Sequence, residues 1–137
     1  MKFAAVVSTY HREYTESLYR SAKKIIEGKG HSLDVVWVPG SFEIPLAVQR
    51  LARKKPRYAA IMAFGIVWEG KTRHAGEIIR ACTDSLMRIM LENDIPILHE
   101  VLSIHTESEV RARTMGRLNR GVEAAEAALA MTGQPKK

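Results

Sequence analysis

Gly65-Ile66-Val67-Trp68-Glu69-Gly70-Lys71-Thr72 fits G-x-x-x-x-G-K-[ST], a pattern in which backbone amides wrap nucleotide phosphates and the lysine reaches them. Ile66, Val67 and Trp68 are too bulky for that wrap and read as the end of a strand. The sequence also lacks an apolar strand ending in the aspartate that would help to hold magnesium. A narrower chemistry survives. Gly70, Lys71 and Thr72 precede a helix, where backbone N–H groups, a hydroxyl and the positive end of the dipole can bind one phosphate group. His74 stands at the start of that helix. The dipole there favours an uncharged imidazole, which suits proton transfer near neutral pH, although spacing alone favours a surface histidine. His74, His99 and His105 show no ligand spacing such as H-x-x-x-H, so no metal is expected.

Alternating elements must position these residues. Phe3 to Val7 is an apolar run of strand length. Thr15 is expected to cap a helix whose Leu18, Ala22, Ile25 and Ile26 share one face, with Gly28 and Gly30 as stops. Asp34 to Val38 is the second strand, ended by Pro39-Gly40. Ser41 is the expected cap of a second helix carrying Ile44, Val48, Leu51 and Ala52. Tyr58 to Val67 reads as a strand buried on both faces. A helix follows over about 74–93, a strand over 95–103, a short polar helix over 107–113 and a last helix over 121–131. Strands that read as continuous apolar runs between helices imply one α/β domain over residues 1–137. Its four-stranded parallel sheet is covered on both sides, in three α/β/α layers. Ligands of such sheets bind beyond the carboxyl ends of the strands. That singles out Ser8 to His11, Pro39 to Glu43, Trp68 to His74 and Ser103 to Thr106, all polar or aromatic stretches.

With 137 residues, 46% hydrophobic and 26% charged, the chain has the makings of a globular core and not of a disordered segment. It has no apolar run long enough for a membrane span, and its first residues are too briefly apolar for a secretory signal. The single cysteine, Cys82, fits a reducing cytoplasm. The net charge of +6 suits either nucleic acid or a small anionic substrate. The one basic cluster, Arg50, Arg53, Lys54, Lys55 and Arg57, lies at a helix end and has few aromatics interleaved, so no base-stacking platform and no nucleic-acid partner are expected.

Three segments together resemble the lumazine synthase family. Val38-Pro39-Gly40-Ser41-Phe42-Glu43-Ile44-Pro45 is similar to its V-P-G-[AS]-[FWY]-E-[IL]-P segment. Gly65 to His74 is similar to its G-x-[VL]-[IV]-x-G-x-[TS]-x-H segment, and Gly121 to Leu129 to its closing helix. The resemblance runs from about Phe3 to Met131. It implies a flavodoxin-like fold and the condensation of 5-amino-6-(D-ribitylamino)uracil with 3,4-dihydroxy-2-butanone 4-phosphate. The products are 6,7-dimethyl-8-ribityllumazine, phosphate and water, and no cofactor is used. It also implies a cytoplasmic homo-oligomer with sites shared between subunits of a pentamer, and riboflavin synthase as a candidate protein partner.

The same resemblance assigns roles. His74 becomes the acid/base group. Tyr10 stacks on the pyrimidine; Ser41, Phe42 and Glu43 hold the pyrimidine and ribityl chain, with Val67 and Trp68 beside them. Lys71, Thr72 and Arg113 bind the phosphate, and His99, Arg113 and Arg120 come from the adjacent subunit. The sequence departs from the family at several positions. Trp68-Glu69 stands where many relatives have Ile-Arg, placing a ring and an acid beside the site, and His99 replaces a stacking phenylalanine. The segment between Arg113 and Arg120 is one residue short. The extra N-terminal strand of many relatives is not in this chain, which leads to the expectation of a pentamer or decamer and not a shell. Two alternatives share the fold: a binding paralogue without turnover, and an archaeal-type riboflavin synthase, which needs no phosphate pocket.

Overall fold

The computed structural model describes residues 1–133. Four strands, β1 (Lys2–Ser8), β2 (Ser32–Val38), β3 (Ile61–Trp68) and β4 (Ile97–Ile104), form one sheet in the order β2-β1-β3-β4, and every pairing is parallel. Helices α1 (Arg12–Gly28), α2 (Ile44–Ala52), α3 (Ala75–Asn93), α4 (Glu107–Thr114) and α5 (Arg120–Met131) connect and cover them, with a 3-10 turn over Ser41–Glu43. The order places the topological switch between β1 and β3: α1 leads outward to β2, and the chain then crosses back over β1 to β3.

Alternation along the strands sorts side chains into two cores. Phe3, Ala5 and Val7 of β1, with Met62, Phe64, Ile66 and Trp68 of β3, face α1, α4 and α5. Ala4 and Val6, with Ile61, Ala63 and Val67, face α2 and α3. All eight residues of β3 are buried, as a strand flanked by neighbours and covered on both faces must be. In α1, Leu18, Ala22 and Ile26 recur at helical spacing on its inner face.

The helix starts differ from two sequence expectations. Thr15 does not cap α1. The cap position is His11, and the Thr15 hydroxyl, one turn inside, donates to the Ser8 carbonyl at 2.7 Å, fastening the helix to the end of β1. Ser41 does not cap α2 either; no side chain caps that helix or the 3-10 turn before it. The reason lies at Gly65, where a Cβ would come within 2.5 Å of Ser41 Oγ and 3.0 Å of Ile44 Cδ1. The turn is pressed onto the bare backbone of β3, so the Ser41 side chain points into the sheet and not back along its own helix. Thr106 and Asn119 are true caps: Thr106 Oγ1 accepts from Glu109 N, and Asn119 Oδ1 accepts from Gly121 N and Val122 N.

Candidate active site

The carboxyl ends of β1 and β3 open onto a cleft of about 200 Å³. Tyr10 lines it from the turn after β1, Gly40 to Glu43 from the 3-10 turn, Ile66 and Val67 from β3, and Thr72 and Ile78 from the β3–α3 connection and α3. Tyr10 and Phe42 are 53% and 64% exposed, two large rings left at the rim where a planar ligand can be stacked. The structure thus brings Tyr10, Ser41, Phe42, Glu43, Val67 and Thr72 around one opening. Its floor is held by Cys82, whose thiol donates to the Ser41 carbonyl at 3.3 Å. Burial raises that thiol to about 11, so Cys82 is a packing group and not a nucleophile.

Next to this cleft is a more polar one of about 420 Å³, formed by Glu69 to Arg73 with Ala75 and Gly76. Gly70 adopts φ 88°, a left-handed turn that favours glycine. The expectation that the amides of this loop face an anion needs correction. Lys71 N and Thr72 N both donate to the Trp68 carbonyl, at 3.1 and 3.2 Å, so the loop closes on itself. What it offers an anion is the Lys71 ammonium, the Thr72 hydroxyl and the start of α3. Lys71 Nζ lies 4.3 Å from the centre of the Trp68 ring. His74 occupies the cap position of α3, and Glu77 holds its Nδ1 at 3.2 Å, which leaves Nε2 without that contact.

Trp68 differs from its expected place. Trp68, unlike Ile66 and Val67, does not line the cleft. Val67 faces the cleft. Trp68 is buried on the other side against His11 and Tyr14, with Nε1 donating to the His105 carbonyl. Glu69 accepts from Ser103 Oγ at 2.8 Å, joining the ends of β3 and β4.

The remaining predicted residues lie on the edge strand β4 and the helices after it. His99 is on the α3 face. It accepts from Val101 N through Nδ1, so its Nε2–H serves the Thr83 hydroxyl at 2.8 Å, and burial lowers its pKa. Arg113 and Arg120 lie on the opposite face, around a pocket of about 400 Å³ with Leu102, Leu118 and Glu123. Arg113 pairs with Glu109 at 3.1 Å, and Arg120 pairs with Glu100 at 2.9 Å and Glu123 at 3.2 Å. These three residues straddle the open edge of the sheet and do not line the Tyr10 cleft.

Two features escaped the sequence reading. Ile78 lines the cleft although its helical spacing marked it only as apolar. His11 has left-handed backbone, and its Nε2 is buried without a hydrogen-bond partner among the described residues. Its place just after β1 was legible in the sequence, and histidine tolerates this conformation better than most residues, but the burial of its ring was not. Among the described residues no group of three His, Cys, Asp or Glu side chains could hold a metal ion, and no helix is long and apolar enough to cross a membrane.

A family model described as 6,7-dimethyl-8-ribityllumazine synthase matches residues 1–136. The chain is 36% identical over 134 residues to the 6,7-dimethyl-8-ribityllumazine synthase of Stenotrophomonas maltophilia (strain R551-3), covering 95% of this chain and 86% of that protein. It is 36% identical over 132 residues to the protein of the same name from Xanthomonas campestris pv. campestris (strain B100), covering 93% and 85%.

Proposed function

The chain belongs to the 6,7-dimethyl-8-ribityllumazine synthase family, and on that premise we propose that it catalyses the penultimate step of riboflavin biosynthesis. It is a transferase that condenses 5-amino-6-(D-ribitylamino)uracil with 3,4-dihydroxy-2-butanone 4-phosphate to 6,7-dimethyl-8-ribityllumazine. The observation that carries this reading is the convergence of Tyr10, Ser41 to Glu43 and Thr72 on one cleft at the β1/β3 switch, beside the Lys71 loop.

In this reading the pyrimidine stacks between the exposed rings of Tyr10 and Phe42, and Glu43 accepts hydrogen bonds from ribityl hydroxyls. The amine attacks the ketone, water leaves as the imine forms, phosphate is eliminated, and ring closure expels water again. His74 moves protons between these steps through Nε2, while Glu77 holds Nδ1. Lys71 and Thr72 hold the phosphate from one side. Arg113 grips it from the other by two parallel hydrogen bonds, in exchange for its contact with Glu109. Much of the acceleration comes from orientation, because amine and ketone are already reactive partners.

The position of His99, Arg113 and Arg120 on the free edge of the sheet, apart from the cleft, supports a site completed by an adjacent copy. We assign a cytoplasmic pentamer or decamer. The chain is read as one domain, with riboflavin synthase as the enzyme that takes up its product. A non-catalytic paralogue and an archaeal-type riboflavin synthase are both disfavoured, the latter because Lys71, Thr72 and Arg113 serve a phosphate it does not use. Mixing purified protein with both substrates tests the function: lumazine absorbance and phosphate release should rise together, and neither rising refutes it. Light scattering at assay concentration tests the assembly, where an active monomer would overturn the shared site.

A further inference from the structure

We propose that His11 is a positioning residue of this site: its imidazole, wedged between the rings of Tyr10 and Trp68, holds the stacking ring of the cleft in register with the Lys71 loop. The proposal rests on the reading of the cleft given above.

His11 lies in the turn after β1, at φ 59° and ψ 45°. A side chain in left-handed backbone is strained, and such strain persists where surrounding structure enforces it. Here the enforcement is visible. The His11 carbonyl accepts from Tyr14 N and Thr15 N, starting α1, while its ring lies 4.4 Å from Tyr10 and 5.4 Å from Trp68 between centroids. Trp68 in turn carries the Lys71 ammonium at 4.3 Å. The contacts therefore run unbroken from Tyr10 through His11 and Trp68 to Lys71, across the switch point from the pyrimidine side to the phosphate side. Tyr10 is half exposed, and His11 is the ring that packs against it.

This brace works only uncharged. Nε2 is buried with no acceptor beside it among the described residues. Burial first, and the Lys71 charge second, lower the pKa of the imidazole from 6.5. The groups around it are Lys71 on the loop, Tyr10 on its own turn, and, beyond Trp68, Tyr14 of α1, whose hydroxyl donates to Glu107 of α4 at 3.5 Å. None offers Nε2 an acceptor, so protonation strands a buried N–H next to a second cation and loosens the ring. Acid should then weaken pyrimidine binding.

Two measurements test this. In the free protein with ¹³C-labelled histidine and tyrosine, the His11 imidazole should titrate below 6.5, and the Tyr10 ring resonances should move with the same midpoint. Tyr10 signals that ignore His11 would overturn the brace, whether or not the protein is active. In the assay, His11→Asn keeps a residue that tolerates left-handed backbone but removes the ring. The KM for the pyrimidine amine should rise about threefold to tenfold, as expected for one lost ring–ring contact. The KM for the butanone phosphate should hold, and the acid-side rise in the amine's KM should vanish. An unchanged KM with an unchanged pH profile would refute the proposal. If this variant does not fold, the titration decides alone; a wild-type protein that forms no lumazine refutes the catalytic reading and leaves the titration to judge His11.

Discussion

At the carboxyl ends of β1 and β3, Ser8 Oγ, His11 Nε2 and Ser41 Oγ are buried without partners among the described residues, whereas at the β4 edge Arg113 and Arg120 are each matched to carboxylates. The first region keeps polar capacity open and packs its backbone closely, with the 3-10 turn against Gly65 and His11 in left-handed geometry. The second stores charge in ion pairs that a stronger anion can displace. A region of the first kind is built to receive a ligand from its own chain's interior. One of the second kind keeps its arginines oriented by carboxylates at the sheet edge.

Arg113→Ala should break the second region most severely. Loss of a charge-assisted pair to phosphate should remove about 2–4 kcal/mol of transition-state binding, read as kcat/KM for the butanone phosphate, and leave binding of a ribitylaminouracil analogue almost unchanged. Unaltered kinetics at limiting butanone phosphate would dissolve the contrast between the regions. His74→Ala tests the boundary between them: turnover should slow roughly tenfold to a thousandfold with assembly intact. A variant that cannot assemble would make His74 a structural residue. In the first region, Gly65→Ala drives a methyl into Ser41 and Ile44. It should cost about 1–3 kcal/mol in urea unfolding and weaken the pyrimidine analogue as well. If stability falls but binding does not, the close packing serves the fold alone.

Smaller changes sharpen the second region. Glu109→Gln removes the carboxylate from Arg113 and should lower the KM for the butanone phosphate by no more than about fivefold, as expected of a solvent-screened pair. Glu100 gives the slightest effect and a defined sign. Burial raises its pKa above 4.5, against the pull of Arg120. The folded state therefore holds the proton more tightly than the unfolded chain, a contribution complete below 4.5 and lost as pH rises through the folded value. Thermal melts of wild type and Glu100→Gln should shift in favour of the variant between about pH 4 and pH 7. A difference that moves the other way would mean that Arg120, and not burial, controls this carboxyl.

The element order was legible because β1 and β3 hold long apolar runs and the longer helices carry apolar stripes, as Phe3 to Val7 and Leu18, Ala22 and Ile26 show. The cleft was legible in part for a topological reason: a parallel sheet sends its ligands to the strand ends, where Tyr10, Ser41 to Glu43 and Thr72 stand. What the sequence hid was decided by contacts between distant segments. Thr15 and Ser41 have the chemistry of caps, yet the Ser8 carbonyl and the bare face of Gly65 claim their side chains. Trp68 packs against His11 and Tyr14, away from the cleft. The self-closure of the Lys71 and Thr72 amides on Trp68 depends on a turn geometry that residue types do not specify.

The strand order also sets a timetable for a chain made from its N-terminus. Once residue 38 has emerged, β1, α1 and β2 can close as a first unit, since β1 and β2 are neighbours. The cleft cannot exist then, because its other wall is β3, and β1 must keep one edge unpaired until residue 68 follows. The arginine pocket is later still, waiting for Arg120. During synthesis the apolar edge of β1 is therefore the exposed hazard, and the speed at which β3 docks on it governs how much nascent chain escapes aggregation.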